Sequence, residues 1–131
     1  MNTTTTPPTT IIKLKTQKGN KPLNFNEILY LKASNKHTFI YLMDGQCIET
    51  NHLLKQYEGK LPQPLFCRCH NSYILNNIHV ECINGNYIYL TASHDVIPLS
   101  RKWKQVFIDN YNIFKQSQIS INLSYGLLGV K

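Results

Sequence analysis

Residues 38–50 read TFIYLMDGQCIET. From Thr38 to Met43 the side chains alternate between two sets, the pattern of a strand with one face turned inward. Asp44-Gly45 then offers residues that tolerate positive φ, and Gln46 to Thr50 return, so the stretch predicts an antiparallel hairpin. The same pattern extends in both directions. Ile78 to Ile83 and Tyr87 to Thr91 flank Asn84-Gly85-Asn86, another sequence tolerant of left-handed backbone, and predict a second hairpin. Upstream, Ile11 and Leu14 mark a first strand, Lys18-Gly19-Asn20 a turn, and Lys21 to Phe25 and Glu27 to Lys32 two further strands. From Ile11 to about Ala92 the chain is expected to be mostly β.

Two segments read as helices. Asn51 to Lys60 (NHLLKQYEGK) places Leu53, Leu54 and Tyr57 on one side and stops at Gly59 and Pro62, a short helix in the middle of the chain. After Pro98, Ser100 is a candidate N-cap for a closing C-terminal helix. In it Trp103, Val106, Phe107, Ile108, Tyr111 and Phe114 recur every three or four residues and should dock on the sheet. Residues 116–131 form a tail with an apolar patch from Ile119 to Leu128, read either as a last strand or as an interaction segment. Residues 1–10 (MNTTTTPPTT) hold little worth burying and are expected to be a flexible lead or the remnant of a linker.

A chain of 131 residues, 42% hydrophobic, fits one domain with a modest core. No apolar run approaches the roughly 20 residues of a membrane helix, and the N-terminus lacks an apolar signal core, so a soluble cytoplasmic protein is expected. Cys47, Cys67, Cys69 and Cys82 are few for a disulfide scaffold and read as reduced thiols. Fourteen Lys/Arg against seven Asp/Glu leave a net charge of +7. That surplus favours a polyanionic partner, because neutralising phosphates releases condensed counterions; a membrane surface or no charged partner stays open on charge alone.

The chemistry-bearing residues fall in three places. Arg101, Lys102 and Lys104 occupy the first turn of the closing helix, where the helix dipole and free amides already favour anions. Cations there suggest an external phosphate, against the alternative of a solvated basic face. Phe66 to Asn77 (FCRCHNSYILNN) concentrates hydrogen-bonding side chains; Asn71 could pair with adenine in a major groove or simply close a turn on its own backbone. His37, in the turn-like Ser34-Asn35-Lys36-His37, is either a base reader or an ordinary loop histidine.

Cys67, Cys69 and His70 have zinc-ligand chemistry, but the C-x-C pair lacks a second half, and residues 67 and 69 of a strand share one face and pack. No metal or other cofactor is expected. No nucleophile motif flanks a cysteine, and nothing places two of His37, His52, His70, His79 and His94 together for acid–base work, so an enzyme is not expected.

Several segments occur in a telling order: Ile28-Leu29-Tyr30-Leu31-Lys32-Ala33, His37-Thr38, the Asp44-Gly45 hairpin, Leu53 to Leu61 with Pro62, Phe66 to Asn76, and Ile97-Pro98-Leu99-Ser100-Arg101. The pattern F-x-R-x-H-x-S-x-x-x-N, followed about twenty residues later by I-P-x-S-R, is highly specific. In it the chain resembles the LytTR (LytR/AgrA-type) DNA-binding domains of bacterial transcriptional regulators over about residues 11 to 114, within an expected domain of residues 11–115. The resemblance implies an elongated stack of small antiparallel β-sheets whose loops enter successive major grooves of bent promoter DNA carrying direct repeats. It places His37, Asn71 and Arg101 at base-contacting positions. Lys36, Ser72, Lys102 and Lys104 beside them suit phosphates. Arg68 is a further phosphate candidate, although it and His70 could instead brace the fold.

The implied partners are double-stranded promoter DNA, a second copy forming a homodimer on repeated sites, and a regulatory partner protein such as a receiver, a kinase or a membrane inhibitor, with no small-molecule substrate. Family members commonly carry an N-terminal receiver domain. Ten Thr/Pro-rich residues cannot hold one, so the chain is expected to be a stand-alone regulator or a piece of a longer one. The alternative from another class is a protein-interaction or signal-relay module that keeps the fold without specific DNA binding; RNA binding through exposed tyrosines also stays open.

Overall fold

The computed structural model describes residues 11–16 and 19–129, with side chains for residues 22–119. Residues 1–10, expected to be a flexible lead, lie outside the described residues, as does part of the turn expected at Lys18-Gly19-Asn20. Among the described residues ten strands form three antiparallel sheets. The hairpin β1 (Ile11–Thr16) and β2 (Gly19–Asn24) stands first. A five-stranded sheet follows, built from β3 (Ile28–Ser34), β4 (His37–Leu42), β5 (Cys47–Thr50), β6 (Phe66–His70) and β7 (Tyr73–Asn76) in the order β5-β4-β3-β7-β6. The third sheet has the order β10-β9-β8, with β8 at Val80–Asn84, β9 at Tyr87–Leu90 and β10 at Val96–Pro98. A short α1 (Leu54–Glu58) interrupts the strands, and α2 (Arg101–Gly129) closes the chain. The fold is therefore mostly β, a set of small antiparallel sheets with a short middle helix and a closing helix.

Both sequence-derived hairpins form. In the first, Gly45 N–H donates to the Leu42 carbonyl at 3.1 Å and Leu42 N–H to the Gln46 carbonyl at 2.9 Å. Only Gly45 takes a positive φ, +92°, so the connection through residues 43–46 turns on one special glycine and not on an Asp-Gly pair of positive-φ residues. In the second, Gly85 takes φ +63° between β8 and β9.

The five-stranded sheet is covered on both faces, which explains the continuous apolar runs of its central strands. One face carries Ile28, Leu31, Ile40, Leu42, Phe66 and Ile74 against Leu54, Tyr57 and Leu61. The other carries Leu29, Tyr30, Cys67, Cys69 and Leu75 against Ile88, Ile97, Leu99 and Phe107. Leu29 and Tyr30 are consecutive yet share a face because the β3–β4 register shifts between Ile28 and Tyr30.

Three expectations are corrected. The middle helix is shorter than Asn51 to Lys60: Leu54 and Tyr57 are buried, but Leu53 stays outside the helix and exposed. In α2 Phe107 and Phe114 are buried and Ile108 and Tyr111 pack partly buried on the core, as expected, while Val106 faces solvent. Residues 116–129 continue α2 and form no last strand, consistent with a stretch free of proline from Arg101 onward and free of glycine until Gly126. A strand at Val96–Pro98 was not anticipated; it pairs with β9 and so ties the start of α2 to the third sheet.

Candidate nucleic-acid interface

Three segments far apart in sequence meet at one end of the five-stranded sheet. β3 runs antiparallel to β4 and β7, so the turn 35–36 leading to His37 and the turn 71–72 between β6 and β7 leave from the same end. Ala33 N–H donates to the Ser72 carbonyl at 2.8 Å and joins the two turns. Ser100 N–H donates to the Cys69 carbonyl at 3.0 Å and sets the first turn of α2 beside them. Main-chain hydrogen bonds of the sheet thus fix where residues 36–37, 71–72 and 101–104 lie, which suits a site that must hold its geometry before meeting a ligand.

Asn35 holds the β3–β4 turn with a left-handed φ of +57°, a conformation asparagine tolerates better than most residues. Lys36 is exposed there. His37 is 40% exposed at its side chain, with Nδ1 3.2 Å from Glu49 Oε2 on the adjacent strand β5.

Asn71 does not close a turn on its own backbone. Its Oδ1 accepts from the indole Nε1–H of Trp103 at 2.7 Å, and its carbonyl accepts from Arg68 Nη2 at 2.7 Å. Arg68 is tied down further by Glu58, Nη1 to Oε1 at 2.8 Å, and lies 5.1 Å from the Trp103 ring centroid. With its side chain only 14% exposed, Arg68 braces the Asn71 loop. His70 accepts from Ser72 N–H through Nδ1 at 3.0 Å, so in the neutral ring the proton sits on Nε2.

Arg101 and Lys102 are exposed at the first turn of α2, and Lys104 is half-buried. His70, Asn86, Tyr87, Ser100, Arg101 and Lys104 line a cleft of about 580 Å³ at that helix end. Ser100 occupies the cap position, its carbonyl accepting from Trp103 N–H at 3.1 Å. The expected side-chain cap is absent: the Ser100 hydroxyl is buried without a hydrogen-bond partner. Arg101, Lys102 and Lys104 thus stand in a first helical turn that no Ser100 hydroxyl caps.

Cys67 and Cys69 both point into the core below this surface, and burial pushes the Cys67 thiol up to about 11 and that of Cys69 higher still. Because the thiolate is the reactive form, a thiol reagent at mildly alkaline pH should modify the exposed Cys47 and Cys82 in the native protein and reach the buried pair only on unfolding. Rapid native reaction of all four thiols would contradict this packing.

The family model for the LytTr DNA-binding domain matches residues 18–111. The chain belongs to the LytTR DNA-binding domain family. The sensory transduction protein LytR of Staphylococcus epidermidis is 37% identical over 89 residues, which cover 65% of this chain and 35% of that protein. The chain therefore spans about a third of the length of that relative. A solved LytTr DNA-binding domain from a Bacillus cereus response regulator superposes with a TM-score of 0.63 at 27% identity, covering 76% of this chain and 94% of that one. Among the described residues no helix is long and apolar enough to cross a membrane.

Within the LytTR frame the signature segment divides by position. Phe66 and Asn76 are buried, while Asn71 stands exposed at the surface. Trp103, Glu58 and Glu49, which contact the expected site residues, were missed by sequence reasoning. The helical spacing assigns Trp103 to the docking stripe, and nothing in the sequence pairs position 103 with position 71.

Proposed function

We propose that this chain is the sequence-reading module of a bacterial transcription regulator, gripping double-stranded promoter DNA with its loops. His37, Asn71 and Arg101 read base edges in successive major grooves, and Lys36, Ser72, Lys102 and Lys104 hold the flanking phosphates. The observation that carries this reading is the convergence of the three segments at one end of a rigid sheet, with the cations of α2 beside them. Arginine grips guanine O6 and N7, and histidine donates or accepts at a base edge. Arg68, committed to Glu58 and the Asn71 carbonyl, supports the reading loop and leaves phosphates to the lysines. Two copies on paired direct repeats would form the bound state. A receiver, a kinase or a membrane inhibitor would control it from outside the DNA-binding domain.

Titration of a duplex at several salt concentrations tests the electrostatic half of this reading. Lys102→Ala should reduce the slope of log affinity against log salt by about 1 and weaken selected and random duplexes alike. An unchanged slope would remove Lys102 from the phosphate contacts.

A further inference from the structure

We propose that Trp103 is a positioning residue for base selection: its indole N–H sets which way the Asn71 carboxamide faces, so that the amide nitrogen of Asn71 leads toward the DNA. The inference rests on the DNA reading above. An indole Nε1–H can only donate, so the atom of Asn71 at 2.7 Å from it must be the oxygen, and the amide cannot rotate end for end without setting two donors against each other. Both partners are themselves held. The Asn71 carbonyl accepts from Arg68 Nη2, and the same guanidinium lies 5.1 Å from the Trp103 ring centroid while Glu58 anchors its other nitrogen. Lys102 adds a second cation 5.4 Å from the ring centroid. Because loop and ring are fixed by these contacts, little further freedom is lost when the amide docks on a base.

The consequence is chemical. With Oδ1 engaged by Trp103, the leading group is a donor, and in the major groove donors are met by guanine N7 and O6, adenine N7 or thymine O4. Cytosine offers only its N4 amino donor there. At the position read by Asn71 the protein should discriminate against cytosine, and that discrimination should depend on Trp103.

Two measurements test this. Trp103 is the chain's one tryptophan, so its indole N–H gives a single NMR resonance in the free protein. Asn71→Ala should shift that resonance and speed its exchange with solvent; an unmoved resonance overturns the inference without reference to DNA. Selection of bound duplexes should then compare the wild type with Trp103→Phe, which keeps an aromatic ring at that position and removes the donor together with the smaller ring of the indole. The expected result is a preference that flattens and admits cytosine at the position sensitive to Asn71→Ala, with positions read by Arg101 unchanged. An identical preference in Trp103→Phe overturns the role of Trp103 and leaves the DNA reading intact, whereas no enriched motif in the wild type overturns the DNA reading and this inference with it. Asn71→Asp provides a test that leaves Trp103 in place: an oxygen still meets the indole, the outward donor becomes an acceptor, and the preference should switch toward the bases with a major-groove amino group, cytosine through N4 and adenine through N6. Retention of the original preference in Asn71→Asp contradicts the proposed orientation.

Discussion

Replacing Arg101 with alanine should weaken binding to the selected promoter site by about 1–3 kcal/mol, roughly 5- to 150-fold, while random duplex loses only what one cation contributes. Arg101 is the first residue of α2, exposed, and held in place because Ser100 is hydrogen bonded to β6 through the Cys69 carbonyl. A side chain launched from a helix end fixed in that way has a defined reach, and the guanidinium fork matches the two acceptors of guanine. The measurement is a pair of affinities, on the selected duplex and on a scrambled one, at a single salt concentration. Equal losses on both would reduce Arg101 to a phosphate contact.

The second large effect concerns stability. Asn76, the last residue of the signature, is fully buried; its Nδ2 donates to the carbonyls of Phe25 at 2.9 Å and Ile28 at 2.8 Å, and its Oδ1 accepts from Ile78 N–H at 3.2 Å. It clamps the turn between β2 and β3 to the end of β7. Asn76→Ala removes two buried hydrogen bonds and one part-buried one; the Phe25 carbonyl keeps its bond from Ile28 N–H, while the Ile28 carbonyl loses its asparagine donor in the interior, at roughly 1–3 kcal/mol for a buried group left unsatisfied. A loss on the order of 3 kcal/mol or more is expected, a large share of the stability of a domain this size. Urea unfolding reads it directly, and a loss below about 1 kcal/mol would show that water or a shifted backbone replaces the clamp.

Asn71 and Asn76 show how much of the site was legible. Both stand in the same short segment, and their residue type is identical. One is exposed at a turn with its amide held by a distant tryptophan; the other is sealed among backbone carbonyls. Local sequence cannot separate them, because the difference lies in what the tertiary fold brings alongside. The hairpin at residues 38–50 was legible because strand alternation and a turn glycine are local signals. So was the placement of Cys67 and Cys69 on one face.

What escaped was set by register and long-range hydrogen bonds. The bulge between Ile28 and Tyr30 puts two neighbours on one face, Val96–Pro98 becomes a strand only by pairing with β9, and the Ser100 hydroxyl leaves its cap unmade. Of the helical stripe, Phe107 and Phe114 are buried and Ile108 and Tyr111 pack beside Phe107 as the spacing implied, but Val106 faces solvent and the Trp103 indole bonds the Asn71 loop.

One end of the five-stranded sheet is proposed to read DNA sequence. The most direct test is selection from a random duplex library at near-physiological salt, comparing wild type with a His37/Asn71/Arg101 triple-alanine variant whose fold is verified by its unfolding midpoint. The wild type should enrich a motif arranged as two repeats about one helical turn apart, and the variant should lose it. The same motif from both proteins, or none from the wild type, would contradict that reading and favour an interaction module that keeps the fold without reading DNA.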